Sequence, residues 1–250
     1  SLAASTVAGV VFVVLPMHAE TVAWVTGRVD SLPALFYLGS FLAYARWRAR
    51  VGARHLYWSA VALFFVALFS KQNAITLGPA LVLYDVIVGR RRVRLAWEWL
   101  RPYVPFATLT LGYLALRYAL FGEVARESQL TIANVSYFGD LVVGHLHRTV
   151  FGSVDARPAW AWILVDSAFA VVIACARREA IYFGVLWWAI GVAPVLVAAY
   201  ESPRHVYLAS VGWAVVIGLA FEQVRQRSLR ASAITSGVAA VVIGGYLWEV

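Results

Sequence analysis

Long apolar segments alternate with short polar ones along the whole chain. Nine apolar segments are long enough, alone or with flanking Trp and Tyr residues, to cross a bilayer, which takes about 20 residues. They fall at roughly 2–15, 31–45, 56–70, 74–89, 100–121, 158–176, 180–200, 205–222 and 232–248. Helices satisfy their own backbone hydrogen bonds in lipid, so the pattern predicts an all-α polytopic membrane protein with about nine transmembrane helices.

The polar connection at residues 122–157 is too long for a tight hairpin. Its part from Asn134 to Phe151 mixes apolar positions with Asp140, His145 and Arg148. Such a mixture is typical of a helix that lies in the membrane interface, so we predict one interfacial helix besides the spans.

The composition agrees with a membrane protein. Of 250 residues, 62% are hydrophobic and 14% are charged, whereas soluble domains are about half apolar and about a quarter charged. The net charge of +8 comes from arginines grouped between apolar segments, which is the distribution of topology signals and not of a nucleic-acid surface. The single cysteine, Cys175, excludes an intrachain disulfide and a Cys-based zinc site.

The basic clusters predict the orientation. Most of the 21 Lys and Arg residues lie in connections around 46–54, 90–101, 177–178 and 225–230, which alternation places on one side, the cytoplasm by the positive-inside rule. Four polar segments then face outward: Pro16–Asp30, Ser70–Ala74, residues 122–157 and Tyr200–His205.

The first outer segment carries His18, Glu20, Arg28 and Asp30 in a chain that is short of charge. Ionisable groups beside hydrocarbon are costly unless they are paired or wetted, so the group indicates a site. A short helix here would place Glu20, Trp24 and Arg28 on one surface. The structural alternatives are an ion pair of Arg28 with Glu20 or Asp30, and Asp30 as N-cap of the next span.

Other ionisable residues have both functional and structural interpretations. Lys71 is placed to hold a lipid phosphate, or it snorkels to the interface. Arg117 is expected to snorkel, and Asp85 to pair with the arginines at 90–94. Asp166, within a span, is a functional candidate or is paired with a neighbouring helix. His145 and His147 are two positions apart and face different sides of a helix, so no metal site is predicted there.

Guanidinium and ammonium groups bind phosphate, and a carboxylate can take a proton from an acceptor hydroxyl. Lipid phosphates lie at the depth of these outer segments. The residues are therefore consistent with group transfer from a polyprenyl-phosphate carrier.

Three strings, PMHAETVAWVTGRVDSLPALF, FSKQNAITLGPALVLYD and ESPRHVYLASVGW, resemble in order and spacing the motifs of membrane O-mannosyltransferases that carry tetratricopeptide repeats. The resemblance implies a C-type glycosyltransferase fold that uses a polyprenyl-phosphate sugar on the outer or luminal face. The residues it carries over are His18, Glu20, Trp24, Gly27, Arg28 and Asp30, then Lys71, then Glu201, Arg204, Tyr207 and Ser210.

The chain departs from the family pattern in two ways. Gln72 follows the lysine where the family usually has an acidic residue. The principal catalytic aspartate is expected in a loop before Ser1, and a repeat domain after Val250, so residues 1–250 are expected to be one membrane glycosyltransferase core cut from a longer protein. The resemblance leaves open the use of a divalent metal ion.

The predicted function is inverting transfer of a hexose, with mannose favoured, from a polyprenyl-phosphate donor to a protein or glycan acceptor at the outer face of a bacterial inner (plasma) membrane. Membrane lipids are expected partners and nucleic acid is not. Glu20 and Asp30 are the candidate catalytic carboxylates that position substrates. The candidate substrate and donor-phosphate contacts are His18, Arg28, Lys71, Glu201, Arg204, His205 and Tyr207. A transporter or lipid flippase and a non-catalytic scaffold are the alternatives.

Overall fold

The computed structural model describes residues 1–23, 27–50, 53–91, 96–122, 135–151, 178–198 and 202–226, with the isolated positions 167, 174, 237, 240 and 244. Within these ranges the regular structure is helical and no strand occurs, so the predicted all-α class is confirmed for this part of the chain.

The helices follow the predicted apolar segments closely. They are α1 Leu2–Val14, α2 His18–Ala23, α3 Arg28–Ala49, α4 Arg54–Ser70, α5 Leu77–Ile87, α6 Trp97–Leu100, α7 Val104–Phe121, α8 Val135–Phe151, α9 Arg178–Val197 and α10 Ser210–Arg225. Three 3₁₀ turns connect them at Gln72–Thr76, Arg101–Tyr103 and Pro203–Val206. The predicted spans 158–176 and 232–248 lie outside the described residues.

Within the described part of the chain, two stretches are long and apolar enough to cross a membrane, Trp97–Phe121 and Arg178–Val197, while α1 and α4 are shorter apolar helices. The number of nine spans therefore stays a prediction. The outer surface is nonetheless apolar, since Leu111, Leu120 and Phe121 on α7 are each about two-thirds exposed. Together with the composition, these features indicate a membrane protein.

Helices α3 and α4 form the most extensive helix pair in the described structure. The hydroxyl of Ser40 donates a 2.6 Å hydrogen bond to the carbonyl of Ala60 across this pair. Tyr37, Phe64 and Leu77 are buried beside it and join α3, α4 and α5 in one apolar core. An interhelical hydrogen bond from a small side chain is typical of helices that pack within lipid.

Helices α1, α9 and α10 pack closely through glycines. A Cβ added to Gly218 would lie 2.5 Å from the Ala4 carbonyl oxygen on α1, and one added to Gly184 on α9 would lie 2.8 Å from the Gly212 oxygen on α10. Small residues at these crossings allow the backbones to approach, which is how membrane helices gain contact area.

A buried carboxylate ties three helices together at one end of the bundle. Asp85 accepts hydrogen bonds from the hydroxyls of Tyr44 at 2.8 Å and Tyr103 at 2.5 Å. It also pairs with Arg48, and with Arg91 at 3.6 Å. The predicted pairing of Asp85 with the following arginine cluster is confirmed, and Arg48 is an additional partner that the prediction did not include.

The described ion pairs and helix ends define two distinct polar ends of the bundle. The Asp85 cluster lies where α3 and α5 end. Glu179, at the start of α9, pairs with Arg90 at 3.1 Å just after α5. At the other end, α3 begins with Asp30 in its first turn and α4 ends at Ser70.

One structural alternative for the first polar segment is wrong, because Gly27 and not Asp30 is the N-cap of α3. Glu20 lies on α2 and Arg28 opens α3, while the predicted continuity through Trp24 falls outside the described residues and stays a prediction. Asp30 lies in the first helical turn, where a carboxylate is favoured by the helix dipole and where its side chain reaches Lys71.

The predicted helix at Asn134–Phe151 is confirmed as α8, Val135–Phe151. Leu141, His145 and Thr149 recur every four residues on its buried side, and Val143 and Leu146 are exposed. Its buried side contacts the Pro203–Val206 turn, α9 and α10. Its position in a membrane interface stays a prediction.

Candidate functional site

A cavity of about 420 Å³ lies at the end of the bundle where α4 and α7 finish. The turn after α4, the last turns of α7 and the Pro203–Val206 turn supply its walls. The lining residues are Phe69, Ser70, Lys71, Gln72, Asn73, Tyr113, Arg117, Arg204 and His205. Segments far apart in sequence therefore meet around one space.

Positive charge dominates this cavity. Lys71, Arg117 and Arg204 each line it, and among the described residues no carboxylate does. Gln72, the neutral residue that departs from the family pattern, is also in the lining. A concave surface with several guanidinium and ammonium groups and neutral amides has the chemistry of an anion site.

The geometry of Lys71 follows from the end of α4. Its backbone is extended, with φ −157° and ψ 136°, while its N–H still bonds to the Ala67 carbonyl at 3.0 Å. The chain thus leaves the helix at this residue, and the ammonium group forms an ion pair with Asp30 of α3. The side chain of Asp30 is 5% exposed and that of Lys71 19% exposed.

Asp30 holds Lys71 at the wall of the cavity. Its Oδ1 accepts from the Lys71 ammonium, while its buried Oδ2 has no hydrogen-bond partner among the described residues. The carboxylate is not among the lining residues, so it fixes the lysine at the wall and offsets part of its charge, while Arg117 and Arg204 keep the cavity positive.

His205 is half-buried and shares the cavity wall with the cations. Burial, together with the charges of Lys71, Arg204 and His145, lowers its pKa to about 4. The imidazole is therefore neutral at physiological pH, with one ring nitrogen that donates a hydrogen bond and one that accepts.

His18 joins the first of the three motif strings to the third, ESPRHVYLASVGW. Its Nε2 lies 2.9 Å from the hydroxyl oxygen of Ser210, and its ring contacts those of Phe12 and Tyr207 at centroid distances of 4.5 and 4.3 Å. Burial lowers the pKa of His18 to about 4. The described contacts of His18 thus connect α1, α2 and α10 in a neutral, packed arrangement.

The remaining predicted residues are placed less centrally. Arg28 is exposed in the first turn of α3 and is not among the residues that line the cavity. Tyr207 is half-buried against His18. Glu20 belongs to α2, but its side chain is not among those described, and Trp24 and Glu201 lie outside the described residues.

Arg117 is the cation that sequence reasoning did not assign to the site. Its guanidinium carbon lies 5.6 Å from the centre of the Phe121 ring, one turn further along α7. The signal in the sequence was its place one turn before the outer end of a predicted span, but the same position fits a snorkelling arginine equally well.

The described residues do not offer a divalent metal a suitable set of donors. No group of three or more His, Cys, Asp or Glu side chains gathers anywhere in the described part of the chain. The cavity itself presents ammonium and guanidinium groups, whereas magnesium and calcium take oxygen ligands, chiefly carboxylates.

Comparison with known proteins gives partial similarity to one kind of enzyme. No family model matches the chain, and no solved structure matches it. The chain is 38% identical over 91 residues to protein O-mannosyl-transferase TMTC4 of Homo sapiens and 36% identical over 92 residues to that of Mus musculus. It is 32% identical over 90 residues to protein O-mannosyl-transferase TMTC3 of Homo sapiens.

Each of these alignments covers 34% of this chain and 10 to 12% of the relative. Sugar transfer is the broad activity that they support. The chain spans a small part of the length of these relatives, so the sugar donor and acceptor belong to the proposal below.

Proposed function

We propose that this chain is part of a membrane glycosyltransferase that transfers a hexose, with mannose favoured, from a polyprenyl-phosphate donor to an acceptor at the outer face of the membrane. The observation that carries the proposal is the cavity in which Lys71, Arg117 and Arg204 converge. The similarity to protein O-mannosyl-transferases supports the class of reaction.

The cavity suits the phosphate of the donor. Arginine presents planar, paired N–H donors that match phosphate oxygens, and lysine acts as a compact point charge. When the sugar leaves, its bond to the phosphate oxygen breaks and negative charge grows on that oxygen. Fixed cations stabilise this developing charge more than they stabilise the donor, so Lys71, Arg117 and Arg204 would contribute to rate as well as to binding.

Asp30 and Glu20 would act in different ways. Asp30 forms an ion pair with the Lys71 ammonium. We therefore propose that Asp30 positions this cation and does not abstract a proton. Glu20 lies on α2, which contacts both α3 and the Pro203–Val206 turn, and we assign it to the orientation of the acceptor. We assign neither carboxylate as the general base that takes the proton of the acceptor hydroxyl.

The orientation of the cavity agrees with an extracytoplasmic reaction. Arg48, Arg90 and Arg91 lie at the opposite end of the helices, around Asp85 and Glu179. The positive-inside rule assigns that end to the cytoplasm, and the cavity then opens toward the outer headgroups, where a lipid phosphate lies. We propose a bacterial plasma membrane as its location.

The transporter and flippase alternative depended on Asp166, which lies outside the described residues. The cavity favours the enzyme because its polar groups lie at one end of the bundle, whereas a transport path needs polar groups near the middle of the bilayer.

The test is sugar transfer by the full-length protein in lipid nanodiscs, with a labelled polyprenyl-phosphate hexose and an acceptor protein. Arg117→Gln and Arg204→Gln should each lower kcat by roughly tenfold to a hundredfold, corresponding to about 1.4 to 2.7 kcal/mol of lost transition-state stabilisation. Arg90→Gln is the matched control, since this arginine is 76% exposed at the opposite end. Equal activity of all three variants would contradict the proposal.

A further inference from the structure

His205 lies where several cationic groups meet. Lys71, Arg117 and Arg204 share its cavity wall, and His145 from α8 acts on it electrostatically. His145 itself is fully buried. His205 is the one imidazole among the described residues of that wall, and an imidazole changes its charge more readily near neutral pH than other side chains do.

The other elements packed on the Pro203–Val206 turn add further polar and titratable groups around His205. Helix α2 contributes His18, and Tyr207 follows the turn itself. The ionisable residues of α9, namely Arg178, Glu179 and Tyr182, lie in the first two turns of that helix, at the opposite end of the bundle. Asp30 reaches the cavity only through its ion pair with Lys71.

We propose that a phosphate entering the cavity brings a proton onto His205, so that the site selects the anion together with a proton. The inference rests on the proposed function, because it takes the cavity as the phosphate site. His205 would then determine the combined charge of the cavity and the ligand in the complex.

The physical basis is the balance of charges in the wall. In the empty cavity, burial and the neighbouring cations hold the pKa of His205 at about 4. A bound phosphate places negative charge against the same imidazole, and the protonated ring then donates a charge-assisted hydrogen bond to a phosphate oxygen. The cations therefore oppose protonation of His205 before the phosphate binds, and the bound phosphate favours it.

The size of the effect follows from Coulomb's law. One negative charge about 4 Å from the ring, at an effective dielectric constant of about 20, raises a pKa by about three units. The pKa of His205 would move from about 4 to near 7. By linkage, a monoanion should then bind about tenfold more tightly at pH 6 than at pH 8.

Dibutyl phosphate is a suitable probe because this phosphodiester stays a monoanion throughout that pH range. Binding would be measured by isothermal titration calorimetry on the full-length protein in phosphate-free detergent buffers. At pH 6.5, titrations in two buffers with different ionisation enthalpies report the number of protons taken up, without any mutation. We expect the complex to take up most of one proton for each phosphodiester bound. We also expect the affinity to be about tenfold higher at pH 6 than at pH 8.

Three variants identify the group. His205→Gln should abolish the proton uptake and leave one affinity at both pH values. His18→Gln, on a histidine that does not line the cavity, should retain the tenfold ratio. Arg117→Gln should weaken binding at both pH values while keeping the ratio.

The outcomes separate the inference from the proposed function. Binding of dibutyl phosphate with equal affinity at pH 6 and pH 8 and no proton uptake overturns the role of His205 but leaves a phosphate site. Uptake that persists in His205→Gln overturns the assignment to this residue. No binding at either pH overturns both the inference and the proposed phosphate site.

Discussion

The ion pair between Asp30 and Lys71 gives the sharpest test of how the site is held. Asp30→Asn keeps the size of the side chain and an oxygen that accepts a hydrogen bond, so it removes only the charge. Breaking a buried pair by removing one partner costs about 3 to 5 kcal/mol. Since Lys71 is 19% exposed, water screens the remaining charge in part, and we expect a smaller loss of stability than this range, about 2 to 3 kcal/mol.

The assay is equilibrium unfolding of the full-length protein in mixed micelles. A loss of about 2 kcal/mol corresponds to a roughly thirtyfold fall in the ratio of folded to unfolded protein. Glu179→Gln is the matched control because its pair with Arg90 is exposed, with side-chain exposures of 57% and 76%. Exposed pairs contribute about 0 to 1 kcal/mol.

A double-mutant cycle with Lys71→Met isolates the interaction between the two charges. The double variant should lose less stability than the two single variants added together, because neither charge is then left buried without its partner. If Asp30→Asn is no more harmful than Glu179→Gln, or if the cycle shows no coupling, the pair does not hold the cavity wall.

Two further predictions concern packing and pH. Gly218→Ala should destabilise the protein by about 1 to 3 kcal/mol, because its Cβ would meet the Ala4 carbonyl at 2.5 Å. Gly112→Ala, with no described atom within 4 Å of its Cβ, should stabilise by up to about 1 kcal/mol. Equal effects in thermal unfolding would contradict the close approach of α1 and α10. The pKa of His18 is lowered from 6.5 to about 4, so the unfolded state binds the proton more readily. The contribution of His18 to stability should be constant above pH 6.5 and fall by up to about 3 kcal/mol between pH 6.5 and pH 4. His205, whose pKa is also lowered to about 4, adds to the loss in the same window. His18→Gln should therefore reduce the slope of that part of the pH profile without abolishing it, and an unchanged slope in this variant would refute the assignment to His18.

The sequence predicted the helical class and the helix positions well because hydrocarbon imposes a simple rule. A segment such as 56–70 is apolar throughout, and the structure has α4 at Arg54–Ser70. Likewise, polar residues between two apolar segments, such as Lys71, are confined to a helix end. Alternation of such segments then brings Lys71, Arg204 and His205 to the same end of the bundle.

The partners of the charged residues could not be predicted in the same way. Arg28 is two positions from Asp30 and was the natural partner by proximity, yet Asp30 pairs with Lys71, 41 residues later. Asp85 similarly pairs with Arg48 as well as with nearby Arg91. Such pairs depend on which helices become neighbours, and an apolar pattern carries no information on that choice.

Arg117 illustrates the same limit within the site. Its position near the end of α7 predicts only that its head group reaches the interface. It lines the cavity because α7 packs against α4, and this contact is not encoded in either helix alone. The third cation was therefore assigned to Arg28 from the sequence, whereas the structure places Arg117 at the cavity wall.

The most direct test of the central claim is an experimental structure of the full-length protein with dibutyl phosphate bound in lipid nanodiscs. We predict phosphate oxygens about 3 Å from the side-chain nitrogens of Lys71, Arg117 and Arg204. A phosphate bound at another surface, or an arrangement in which these three side chains do not meet around one space, would contradict it.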